Sequence, residues 1–140
     1  MIVRKLCYAW LVVASVLATN GNARAASIQD ASLSAFEMFV LELKSSIEMC
    51  KLDAILSSER SIACVNEQRA KFSDKYKVLK PKIKKAPQAL MKEFYAEALT
   101  ALDSTKIQAL ELKVVYQSRQ AANMQKIDKL ANKIRIELGQ

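Results

Sequence analysis

The sequence predicts an all-helical protein: a small up-and-down bundle of four helices, its first two joined by a disulfide, in one domain over residues 26–140. Three observations lead there. Beyond residue 25 the only glycine is Gly139 and the only prolines are Pro81 and Pro87, while the strong helix formers Ala, Leu, Lys, Glu and Gln are abundant. Apolar residues recur at alternating spacings of three and four, the period of a helix face, and no stretch alternates as a strand does. Cys50 and Cys64 stand about equally far from Ser57-Ser58. A turn there makes the flanking helices antiparallel and sets the thiols opposite each other. An unbroken helix would hold them about 20 Å apart at 1.5 Å per residue, too far to bridge.

Residues 1–25 read as a secretory leader. Arg4 and Lys5 precede a nearly unbroken apolar run, Leu6 to Ala18, and Ala23-Arg24-Ala25 places small residues where a signal peptidase requires them. The run is short of the ~20 apolar residues that span a bilayer. Cleavage before Ala26, by a pattern of bacterial type, predicts a secreted or periplasmic protein. Loss of Arg4, Lys5 and Arg24 lowers the net charge from +8 to +5, since all 14 acids remain. Cys7 leaves too, and two cysteines in an oxidising compartment are expected to pair.

The first helix begins between Ser27 and Ser32, with an apolar seam of Leu33, Phe36, Val40, Leu43, Ile47, Cys50 and Ala54, widened by Met38 and Phe39. The second runs from about Glu59 to Lys80 on Val65, Phe72, Tyr76 and Leu79, with Ile83 beyond. It stops at Pro81, which lacks an amide hydrogen and restricts Lys80. Pro87 suits the first turn of a third helix, carrying Leu90, Met91, Phe94, Tyr95, Ala98 and Leu102. Asp103-Ser104-Thr105 is a polar break, and Thr105 with Gln108 fits a capping box. The fourth helix is therefore expected from about Lys106 to Leu138, on Ile107, Leu110, Val114, Ala121, Met124, Ile127, Ala131, Ile134 and Leu138. A single helix over 87–138 is the alternative.

The composition restricts the chemistry. There is no histidine, so histidine-based triads, histidine metal ligands and histidine-held haem have no residue to use. Without internal glycine no phosphate-cradling loop can form, and two cysteines 14 apart fit neither zinc nor C-x-x-C redox spacing. Glu93 and Glu97 share a helix face, but beside Lys92 on the polar side they read as solvated charge. No catalytic residue, metal or cofactor is expected. Tyr116, Gln117, Arg119 and Gln120 form a second polar group, explained equally by binding or by a solvated face.

One feature exceeds that description. Arg69, Lys71, Lys75, Lys77, Lys80, Lys82, Lys84 and Lys85 face a single acid, Asp74, giving +7 in 17 residues. The rest of the chain beyond residue 25 carries −2. The lysine stems are expected to cover the edges of a buried stripe, and their charges to offer an anionic partner a salt-sensitive surface. Nucleic acid is not expected, because no stacking aromatics punctuate the run. The function expected is that of a non-enzymatic interaction protein such as an adaptor, inhibitor or immunity-type protein. The alternative is an envelope-associated protein that binds anionic lipid, lipopolysaccharide or wall polymer through 69–85.

Overall fold

A computed structural model of the chain describes residues 31–83, 86–108 and 111–139. The expected leader, its cleavage point, Lys84, Lys85 and Leu110 lie outside the described residues. Helix makes up 87% of what is described, in four segments, so the backbone is satisfied almost wholly within helices and side chains alone decide the packing. The helices are α1 over 31–56, α2 over Ser58–Leu79, α3 over Gln88–Asp103 and α4 over Lys113–Gly139.

The corner between α1 and α2 is a single residue. Ser57 is extended (φ −165°, ψ 155°), and its Oγ accepts a hydrogen bond from the Arg60 amide, an N-cap that serves one of the unpaired donors of the new helix. The Ser57 amide in turn donates to the Asp53 carbonyl of α1, and Arg60 reaches back to the Asp53 carboxylate. So sharp a reversal makes the helices antiparallel from the start. Cys50 and Cys64 are disulfide-bonded, with α-carbons 5.5 Å apart. By chain-entropy reasoning, a loop of about 15 residues closed in this way contributes about 3 kcal/mol.

Consecutive helices are neighbours and run antiparallel. Ser46 of α1 bonds Gln68 of α2. Arg69 of α2 pairs with Asp103 of α3, and Glu97 of α3 with Lys126 of α4. Glu37 and Lys44 of α1 meet Arg135 and Asp128 of α4, closing the ring. α2 and α4 lie diagonally across it. The core holds the predicted seams: Phe36, Val40, Leu43 and Ile47 from α1, Phe72 and Leu79 from α2, Met91, Phe94, Ala98 and Leu102 from α3, Ile127, Ala131, Ile134 and Leu138 from α4. Phe39 stacks on Phe72 at 4.3 Å between ring centres, and Tyr76 stacks on Tyr95 at 4.3 Å, which knits the first three helices together.

α3 is the shortest helix and ends level with Arg69, so the first three turns of α2 have no α3 beside them. Cys50, Cys64 and Val65 form a separate small cluster there. The disulfide lies where the main core does not reach, which is the part of the hairpin most in need of a covalent tie.

Four expectations are corrected. Thr105 and Gln108 form no capping box, and α4 starts at Lys113 rather than Lys106. The hydroxyls of Ser104 and Thr105 donate to the carbonyls of Ala101 and Leu102, each at 2.7 Å, ending α3 instead of opening the next helix. The Gln108 amide is taken by the Glu111 carboxylate. In consequence Ile107 is an exposed connection residue, and Val114 and Ala121 are exposed on α4 rather than buried. Met38, placed beside the α1 seam, is also exposed.

Candidate interaction surfaces

The basic segment divides in two. Arg69 is bound by Asp103 of α3, Lys75 by Glu42 of α1 at 2.7 Å, Lys71 by Glu67 at 2.5 Å and Lys77 by Asp74 at 2.8 Å. The Asp74 hydrogen bond raises the Lys77 ammonium above the ordinary lysine range. Half of the expected anion-binding set is therefore matched by acids that lie far away in the sequence or one helical turn off. Lys80 and Lys82 make no ion pair among the described residues, and both are exposed where α2 passes towards α3. Lys92 and Lys133, also exposed and without an ion pair among the described residues, lie in the same half of the bundle, as do the exposed acids Glu93 and Glu137. This end also holds the first turn of α1, where Ser32 Oγ donates to the Lys82 carbonyl.

Tyr116, Arg119 and Gln120 turn inward, onto the α3–α4 connection. Arg119 donates to the carbonyls of Ser104 and Lys106 and clasps both carboxylate oxygens of Glu111, at 2.9 and 2.6 Å. That clasp holds the Glu111 carboxyl below the usual carboxylate range. Gln120, buried, donates to the Ser104 carbonyl and hydroxyl, and the Tyr116 hydroxyl to the Thr105 carbonyl. Carbonyls at a helix end have no partner within the helix, and here α4 supplies partners from its side chains. These three residues are occupied in holding the fold. Gln117 is exposed beside Leu52 and Ile55 in a groove between α1 and α4. Glu93 is exposed and Glu97 faces Lys126, so the two carboxylates share no buried site.

The opposite end was not legible in the residue pattern. Ile55, Leu56 and Ile62 at the corner, and Ile107, Leu112, Val114 and Val115 around the start of α4, are all large, apolar and exposed. They gather there because α3 stops short and because Ser104, Thr105, Gln108 and Glu111 of the connection are held by hydrogen bonds. A cleft of about 640 Å³ separates the corner from the connection, lined by Ala54, Ser58, Ser61, Ile62, Lys106, Ile107 and Gln108. Ser61 is 2% exposed, and its hydroxyl has no hydrogen-bond partner among the described residues. Most charges around this end are matched: Lys51 with Glu48, Arg60 with Asp53, Arg119 with Glu111, and Asp103 with both Lys106 and Arg69.

Among the described residues no three or more Asp, Glu or Cys side chains converge as metal ligands do, and no helix is long and apolar enough to cross a membrane. No protein-family model matches this chain, and no curated protein or solved structure matches it either. The surfaces must therefore be interpreted on their own chemistry.

Proposed function

We propose that this is an exported, non-enzymatic interaction protein, of the adaptor, inhibitor or immunity kind, that engages a protein through the apolar end of its bundle. The observation that supports the reading is the gathering of Ile55, Leu56, Ile62, Ile107, Leu112 and Val115 in the open at one end. Contiguous apolar surface of more than a few hundred Å² is uncommon on a monomer and marks a place where something docks. A photo-crosslinking residue at position 56 tests it in living cells. Position 56 is expected to give a defined protein adduct, and position 92, at the far end, none. No adduct from position 56, or equal labelling from both, removes the reading.

The free lysines favour a second role for the other end. Lys80 and Lys82 make no ion pair among the described residues, and with Lys84 and Lys85 beside them in the sequence they suit an anionic envelope component: acidic lipid, lipopolysaccharide or wall polymer. Peripheral attachment through this end is compatible with docking at the other.

A further inference from the structure

We propose that the occupant of the apolar end is the same end of a second copy, giving a two-fold dimer in which the bundles meet tip to tip. The inference rests on the reading of this end as a docking surface, and three features of the surface select a second copy.

The first is area. Seven apolar side chains at this end, those of Ile55, Leu56, Ile62, Ile107, Leu112, Val114 and Val115, are exposed by between 47% and 75%. Together they present on the order of 800 Å² of apolar surface, about what each side of a standard interface contributes.

The second is charge. With most of its rim charges matched, the end offers little to steer an acidic or a basic partner, but it does keep two charges of opposite sign without an ion pair among the described residues. Glu59 lies in the first turn of α2 and Lys113 is the first residue of α4, and neither makes an ion pair among the described residues. Lys113 stands where a helix end carries partial positive charge, an unfavourable position for a cation until an acid meets it. Because α2 and α4 are diagonal, a two-fold axis lying across the end, perpendicular to that diagonal, places Glu59 of each copy over Lys113 of the other. Such an interface is isologous, each contact occurring twice.

The third is repulsion. The opposite end carries Lys80, Lys82, Lys92 and Lys133 against the exposed acids Glu93 and Glu137, which leaves it net positive. Any contact that brought two such ends together would oppose like charges. Tip-to-tip docking leaves them separated by the length of two bundles, about 80 Å for helices near 27 residues at 1.5 Å per residue.

Sedimentation velocity of the protein as cells produce it, disulfide intact, provides the test. A dimer is expected at micromolar concentration. Leu56→Asp and Leu112→Asp, each burying an unpaired charge in the interface, are expected to raise the dissociation constant at least tenfold or so. Glu59→Lys and Lys113→Glu are each expected to weaken the dimer about tenfold by opposing like charges, while the double exchange restores it. Unchanged helical circular dichroism establishes that each variant folds. A dimer insensitive to Leu56→Asp, or a double exchange no better than the singles, overturns the proposal. So does a monomer at every concentration. In that case a position-56 adduct with a different protein leaves the docking reading standing, whereas flotation of the monomer with phosphatidylcholine vesicles, lost in Leu56→Asp, assigns the end to lipid and removes both.

Discussion

Tyr116 shows how a residue that looks like a binding group is used internally. Its hydroxyl serves the carbonyl of Thr105, a residue with no exposed surface, and burial raises the phenol above the ordinary tyrosine range. Tyr116→Phe leaves that carbonyl without its donor, so the variant is expected to lose about 1–2 kcal/mol of stability in urea unfolding while keeping its helical content. An unchanged midpoint would mean that water replaces the hydroxyl. Ser57 illustrates the other extreme, since one short side chain and one extended backbone conformation define a whole reversal. Nothing in the identity of Tyr116 distinguishes the two roles. What decides is that Asp103-Ser104-Thr105 ends α3 and exposes carbonyls next to it, which only the folded chain shows.

Between helices, the longest reach in sequence is the pair Glu37–Arg135, joining α1 to α4 at 2.5 and 2.9 Å. The Arg135 hydrogen bond holds the Glu37 carboxyl below the usual glutamate range. A carboxyl lowered on folding stabilises the fold above its unfolded value of about 4.3, and the contribution disappears as pH falls through the folded value. Glu37→Gln should therefore be less stable than the parent at pH 7 and nearly equal to it at pH 2–3, read by chemical denaturation at both pH values. A difference that persists in acid would assign the effect to packing. All four helices and the seams of α1, α2, α3 and the second half of α4 were legible in the sequence, because burial there follows the helical period. The cystine was legible too, from symmetry about Ser57-Ser58. The start of α4 was not, since Thr105 and Gln108 have the letters of a capping box and only the bonds of Ser104, Thr105 and Glu111 decide against it. With that start went the fate of Val114 and Val115, and so the apolar end. Ion-pair partners such as Glu42 for Lys75 were equally illegible, because they come from another helix.

Across the whole molecule the two ends differ: one carries the exposed apolar side chains, the other Lys80 and Lys82, which make no ion pair among the described residues. At physiological ionic strength charges are screened beyond about 8 Å, so the location of a lysine matters more than the total charge. Lys80→Gln combined with Lys82→Gln is expected to weaken attachment to acidic vesicles on the order of tenfold, at about 1 kcal/mol per lysine near the surface. Lys71→Gln combined with Lys77→Gln, an equal change in formal charge among paired side chains, is expected to leave attachment within about twofold. Equal losses in a co-sedimentation assay would remove the distinction between the ends. The same separation gives each bundle a permanent electric moment along its long axis, so a negatively charged surface exerts a torque as well as a pull. A bundle drawn in this way stands upright with its corner pointing away, instead of lying along a flank. Two bundles joined at their corners have opposed moments that cancel, and such a pair presents one lysine-bearing pole to each of two facing surfaces.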